Sequence, residues 1–139
     1  MTDSYTILYI SRAADQLNEI DILELLENSE YRNNKKGLNG ILLYGEGSFL
    51  QVLEGEESLV KETFAKIEKD KRHDTLIVLF EEKAKEMVFR NYNSKFNLVI
   101  DKFDWLNLNE YLKRKRRMGL ESEMEELLRP FLESRNFEN

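Results

Sequence analysis

Leu38-Asn39-Gly40-Ile41-Leu42-Leu43-Tyr44-Gly45-Glu46-Gly47-Ser48-Phe49-Leu50-Gln51-Val52-Leu53-Glu54-Gly55 reads as two strands folded back on one another. Leu38 to Tyr44 is an apolar run of strand length, Gly45-Glu46-Gly47 makes the turn, and Ser48 to Glu54 is a second strand that Gly55 ends. Alternation along the second strand sets Phe49, Gln51 and Leu53 on one face. An uncharged amide thus enters an otherwise apolar surface. Leaving its donors and acceptor unpaired would cost on the order of 1–3 kcal/mol, so Gln51 needs a neighbouring side chain, a water or a ligand.

Upstream of the hairpin, Tyr5 to Ser11 is rich in aromatic and β-branched residues and apolar on both faces, as an interior strand requires, with Tyr5, Ile7 and Tyr9 on one side. The segment from Ile20 to about Asn34 sets Ile22, Leu25, Leu26 and Ser29 at helical spacing, and Gly37 stops it. Asn33 follows Leu26 by one heptad and so lies at the end of the helix's inward side. Downstream, Ser58 to Asp70 carries Val60, Phe64 and Ile67 at helical spacing, and Leu76 to Phe80 is a strand by composition. Lys83 to Asn93 follows no clear period, and Phe96 to Ile100 supplies a fifth strand.

The order β-α-β-β-α-β-β predicts an α+β fold of ferredoxin-like type, a mixed sheet with two helices on one face. From Asp101 onward two helical patterns, built on Trp105, Leu106, Leu108, Tyr111 and Leu112 and then on Met124, Leu127, Leu128, Phe131 and Leu132, are separated near Gly119. An amphipathic pair of this kind is expected to cover the sheet's other face. The expected division is therefore a domain over residues 1–100 and a helical extension over 101–139.

Composition narrows the function. The net charge of -6 repels phosphate backbones, which argues against nucleic acid as a partner and makes a protein the expected one. With no cysteine and a single histidine, His73, the chain lacks the ligands of a zinc site and the parts of a histidine-based hydrolase, so neither a metal nor conventional catalysis is expected. No apolar run approaches the roughly 20 residues that span a bilayer, and no signal-peptide pattern opens the chain. A cytoplasmic protein without membrane contact is the expectation.

Taken singly, Gln51 and Tyr9 are best explained as satisfied core residues and Asn33 as a helix cap. Their convergence on one sheet face, framed by Leu25, Phe49 and Ile67, describes something else: a mostly apolar pocket with a few placed neutral hydrogen-bonding groups, suited to a flat heteroaromatic ligand.

The Tyr9-x-Ser11 strand, Arg32-Asn33, Leu38-Asn39-Gly40 with Leu42-Leu43-Tyr44, Phe49 through Gly55, and Asp70-Lys71-Arg72-His73 together resemble the BLUF family over roughly residues 5 to 100. The resemblance implies a non-covalently bound flavin, usually FAD with FMN or riboflavin as alternatives, lying between the two helices. It implies that Asn33 bonds the C4 carbonyl and N3 edge, that Arg32 lies on the C2 carbonyl side, that Leu25 and Ile67 sandwich the ring, and that Gln51 bridges N5 and Tyr9. Phe49, Asp70, Arg72 and His73 join the flavin-binding set, the basic end of the second helix offering a ribityl or phosphate contact. The implied mechanism is light-driven electron and proton transfer from Tyr9, reorientation or tautomerisation of Gln51, and return to an unreduced flavin with altered hydrogen bonds. The chain would be a sensor and not an enzyme, signalling to a separate protein, since no effector domain fits in it, and self-association is expected from its apolar tail.

The chain departs from the family pattern where a Trp-x-Met element commonly opens the last strand. Tyr92 stands at the tryptophan position and Ser94 at the methionine position, so the signalling route and the lifetime of the lit state are expected to differ. The run Lys113-Arg114-Lys115-Arg116-Arg117 reads as a solvated helix end, its cations complementing the dipole and the following Glu121 to Glu126. Two rival readings stay open: a flavin-free ferredoxin-like interaction module, and an acylphosphatase-like enzyme, against which Ser11-Arg12-Ala13-Ala14 lacks a glycine-rich phosphate cradle.

Overall fold

The computed structural model describes residues 4–84, 87–90, 92 and 95–134. Five strands, β1 (Ser4–Ala13), β2 (Asn39–Gly45), β3 (Ser48–Gly55), β4 (His73–Ala84) and β5 (Phe96–Val99), form one sheet in the order β4-β1-β3-β2-β5. All neighbours are antiparallel except β2 and β5, which run parallel from the Gly40–Phe96 pair. Helices α1 (Glu19–Lys35) and α2 (Glu57–Glu68) pack on one face, and α3 (Lys102–Arg117) and α4 (Glu123–Glu133) on the other. The expected ferredoxin-like element order and α+β layering are those observed.

β3 is the central strand, buried along nearly its whole length, and its alternation divides the core in two. Phe49 and Leu53 join Tyr5, Ile7, Tyr9, Ile22, Leu26 and Phe64 on the front. Leu50 and Val52 join Leu8, Ile41, Leu43, Leu108 and Leu128 on the back. Gly40 belongs to this centre for a steric reason: at φ +137° a Cβ would meet the Val52 carbonyl oxygen at 1.9 Å.

Local signals set the helix ends. Asn18 and Asp21 form a reciprocal capping box at the start of α1, and Ser122 and Glu125 another at the start of α4. α1 stops where Gly37 turns to φ +80°, with the Leu38 amide donating to the Asn33 carbonyl at 2.9 Å and Gly37 to Asn34 at 3.1 Å. The same stop fixes the rotation of Asn33 relative to the sheet.

β4 is much longer than the Leu76–Phe80 stretch that composition suggests. It is an edge strand exposed on much of both faces, so charged residues through Lys83 continue it without an apolar pattern. The basic run of α3 also differs from the expectation of a fully solvated end: Lys115 is only 20 % exposed and forms an ion pair with Glu125, which is 1 % exposed. Among the described residues no helix is long and apolar enough to cross a membrane.

Candidate functional site

Between α1, α2 and the front of the sheet lies a cleft of about 670 Å³, its open mouth included. Tyr9, Leu25, Arg32, Asn33, Phe49, Gln51, Ile67, Asp70, Arg72 and His73 all line it. The residues singled out for flavin binding are therefore brought together in space.

The floor of the cleft is polar and connected. Gln51 lies opposite Tyr9 across the β1–β3 ladder, and its Nε2 donates to the Tyr9 hydroxyl at 2.5 Å. Asn33 Nδ2 donates to Gln51 Oε1 at 3.4 Å from the end of α1. All three side chains are buried, and their bonds resolve the unpaired-amide problem posed by the strand pattern. Burial pushes the Tyr9 phenol well above its ordinary pKa, the Gln51 bond opposes that shift, and the negative charge of Asp70 adds to it. Tyr9 is thus a neutral phenol, its ring edge-on to Phe64 at 5.6 Å.

His73 ties the end of α2 to β1. The Ile67 carbonyl, 2.6 Å from Nε2, can only accept, so Nε2 carries a proton, and in the neutral ring Nδ1 accepts from the Ser11 hydroxyl at 2.7 Å. Both ring nitrogens are engaged within the chain, which leaves the ring itself, near Tyr9 and Phe49, as the part His73 presents to the cleft. Asp70 and Arg72 pair at 2.5 Å. That contact draws the Asp70 carboxyl below its ordinary value and raises the Arg72 guanidinium.

Two cations of the lining escape the motif-based reading, Lys36 of the α1 cap and Lys66 of α2. Lys36 donates to Thr63 Oγ1 at 3.4 Å, and its ammonium is held below its ordinary value by burial and then by Lys66 and Arg32. The signal was present in the helical spacing, because Lys36 follows Arg32 by four residues and shares its side of α1. Tyr92 lies elsewhere, on the back of the sheet, where its ring stands 5.0 Å from that of Tyr111 and 6.3 Å from that of Phe89. Ser94 lies outside the described residues. No cluster of metal-ligating side chains occurs among the described residues.

A flat ring fits this arrangement on the chemistry of its lining. Leu25 and Ile67 supply apolar walls, Asn33 and Gln51 supply neutral amides, and Arg32, Lys36 and Lys66 make one rim cationic.

Residues 5–95 match the family described as BLUF, sensors of blue-light using FAD. The photoactivated adenylate cyclase subunit alpha of Euglena gracilis is 34 % identical over 84 residues, 60 % of this chain and 8 % of that protein. The subunit beta of Euglena longa is 31 % identical over 74 residues, 53 % of this chain and 9 % of that protein. This chain therefore spans less than a tenth of the length of these two relatives. Among solved structures, BlrB, a BLUF protein in its dark state, superposes with a TM-score of 0.65 at 28 % identity, covering 97 % of this chain and 99 % of the other. Klebsiella pneumoniae BlrP1 with FMN and cyclic diGMP gives a TM-score of 0.73 at 25 % identity, covering 94 % of this chain and 35 % of the other. The match runs from β1 to the residue before β5 and includes every residue that lines the cleft: the chain belongs to the BLUF family of blue-light sensors that use FAD.

Proposed function

We propose that the cleft holds FAD or FMN and that light is read through the Tyr9–Gln51–Asn33 chain of hydrogen bonds. The observation that carries the reading is the 2.5 Å contact of Gln51 with a fully buried, neutral Tyr9 at the floor of a cleft open between two helices. A bound flavin would supply the blue-light absorption and a transient electron acceptor. The rest belongs to the chain. Tyr9 is the electron and proton donor, and Gln51 is the group that takes up the proton's displacement.

Rotation of the Gln51 amide exchanges its ends: Oε1 then accepts from the Tyr9 hydroxyl, and Nε2 turns toward Asn33, whose own amide turns with it to offer Oδ1 in place of Nδ2. The two arrangements satisfy the same buried atoms with opposite polarity, which is the property a switch requires. The cationic rim of Arg32, Lys36 and Lys66 supports a phosphate-bearing flavin over riboflavin. Asn33 and Arg32 would orient the ring edge, with Leu25 and Ile67 against its faces and Phe49, Asp70, Arg72 and His73 closing the end.

In this reading residues 1–100 are the sensor and the α3–α4 pair its output side, with signalling to a protein partner or a second copy of the chain. Exposed Phe103, Leu106 and Leu127 on that pair support such a contact. The chain turns nothing over, and a cytoplasmic location suits a ligand of this kind.

The deciding measurement is a light-minus-dark absorbance spectrum. The purified protein should be yellow, shift slightly to the red under blue light, and recover in darkness. A colourless protein that cannot be reconstituted with FAD or FMN would leave the flavin-free interaction module as the better account.

A further inference from the structure

Glu54 is a carboxylate with no exposed surface, on the central strand three residues beyond Gln51 and on the opposite face. The cleft does not use it. Its two oxygens accept from the amides of Val88 and Phe89, both at 2.8 Å, and Thr6 Oγ1 donates to it at 3.4 Å. A second tie runs beside it, because Asn39, paired with Glu54 across the β2–β3 ladder, donates to Met87 Sδ at 3.6 Å. Residues 87–89 are therefore fixed to the back of the strand that carries Gln51.

From there the contacts continue to the output helices. The Tyr111 hydroxyl of α3 donates to the Val88 carbonyl, and the Tyr111 ring packs on Tyr92. The charged and titratable groups facing Glu54 among the described residues are Tyr111 and Lys115 of α3, with Glu125 of α4 behind them as the partner of Lys115. Among the described residues no countercharge touches the carboxylate; burial in that state is a costly way to hold two amides, and neutral side chains would serve a purely structural role more cheaply.

On the reading of Tyr9 and Gln51 as the switch, we infer that Glu54 is the positioning residue that couples the Gln51 strand to Val88 and Phe89 and thereby to α3. Tyr9 with Gln51 and Thr6 with Glu54 are rungs of one β1–β3 ladder, so a displacement of β3 on the front reaches the carboxylate through rigid backbone. The bistable element is the Val88–Phe89 turn, its two amides held by the carboxylate or released from it. Burial raises the Glu54 carboxyl to about 7 against the opposing pull of its amide donors, Thr6 and Lys115. The ionised fraction, which accepts both amides fully, accordingly varies across neutral pH.

The test is amide hydrogen exchange on the flavin-loaded full chain, in darkness and under blue light, for wild type and Glu54→Gln. Wild type should change exchange at Val88, Phe89 and the Tyr111 turn of α3 by about threefold or more on illumination, an ordinary size for local opening. That difference should shrink as pH falls through about 7. Glu54→Gln should keep the flavin red shift and lose the exchange difference at every pH. Should Glu54→Gln not fold, the wild-type pH profile decides alone. A red shift accompanied by an unchanged exchange difference in the variant, or by a pH-independent one in wild type, overturns the coupling role. Absence of any red shift in wild type instead overturns the photoreceptor reading.

Discussion

Tyr9 and Gln51 occupy one rung of the β1–β3 ladder, and their side chains meet at 2.5 Å on the side facing α1 and α2. The backbone pairing fixes their separation, so the contact depends on strand register before it depends on side-chain conformation. A one-residue slip would put Gln51 on the back of the sheet.

Tyr9→Phe removes the hydroxyl while keeping the ring against Phe64. The variant should bind flavin and show no light-induced red shift. Its flavin-free form should lose about 1 kcal/mol of stability, since Gln51 loses one buried partner. Absorbance difference spectra and urea unfolding measure the two effects, and a normal red shift in the variant would remove Tyr9 from the switch.

Asn33→Ala takes away a buried amide that faces the cleft and bonds Gln51. Flavin affinity should fall about tenfold or more, the equivalent of a hydrogen bond worth roughly 1.4 kcal/mol. Fluorescence titration of the flavin-free protein with FAD checks this, and equal affinity would place the ring edge away from α1.

Glu54 predicts an unusual pH dependence of stability. Its carboxyl titrates near 7 in the folded chain and near 4.5 when exposed, so between those values the native state holds a proton that the unfolded state has released. Stability therefore falls as pH rises through this window, by on the order of 3 kcal/mol when complete. Urea unfolding from pH 5 to 8 should show that fall in wild type and not in Glu54→Gln. Asp70, Glu56 and Glu57, whose carboxyls lie below their ordinary values, act with the opposite sign and only at more acid pH.

Lys115→Met leaves Glu125 buried without its cation. Removing one partner of a buried pair should destabilise by about 3–5 kcal/mol, and adding Glu125→Gln, which removes the charge and keeps the bond to the Ser122 amide, should recover most of the loss. Thermal unfolding of the single and double variants distinguishes this from a solvated pair, for which the single substitution would change little.

The hairpin, the helix faces and the front of the cleft were legible because they follow periods of two and 3.6 residues. Gln51 announced itself by breaking the first period, and Asn33 by completing the second. What escaped is polar and contextual. β4 extends to Ala84 because β1 supplies its hydrogen bonds, and no apolar alternation marks a strand exposed on both sides. Glu54 resembles an ordinary charged strand end in sequence, and nothing in its strand announces that residues 88 and 89 return over the sheet to bond it. Lys66 reads as one more surface cation until α1 and α2 are placed side by side.

The stop of α1 at Gly37 has a consequence for engineering. Asn33 is indexed to the sheet by a fixed count of residues between its own carbonyl, which receives the Leu38 amide, and the start of β2 at Asn39. One residue inserted in that stretch would turn the asparagine by about 100° around the helix and out of the cleft. The Gly45–Gly47 turn at the far end of the same hairpin sets no such count for Asn33. Tags, linkers or an added domain therefore belong at that turn, while the five residues after Asn33 are a spacer whose length has to be kept.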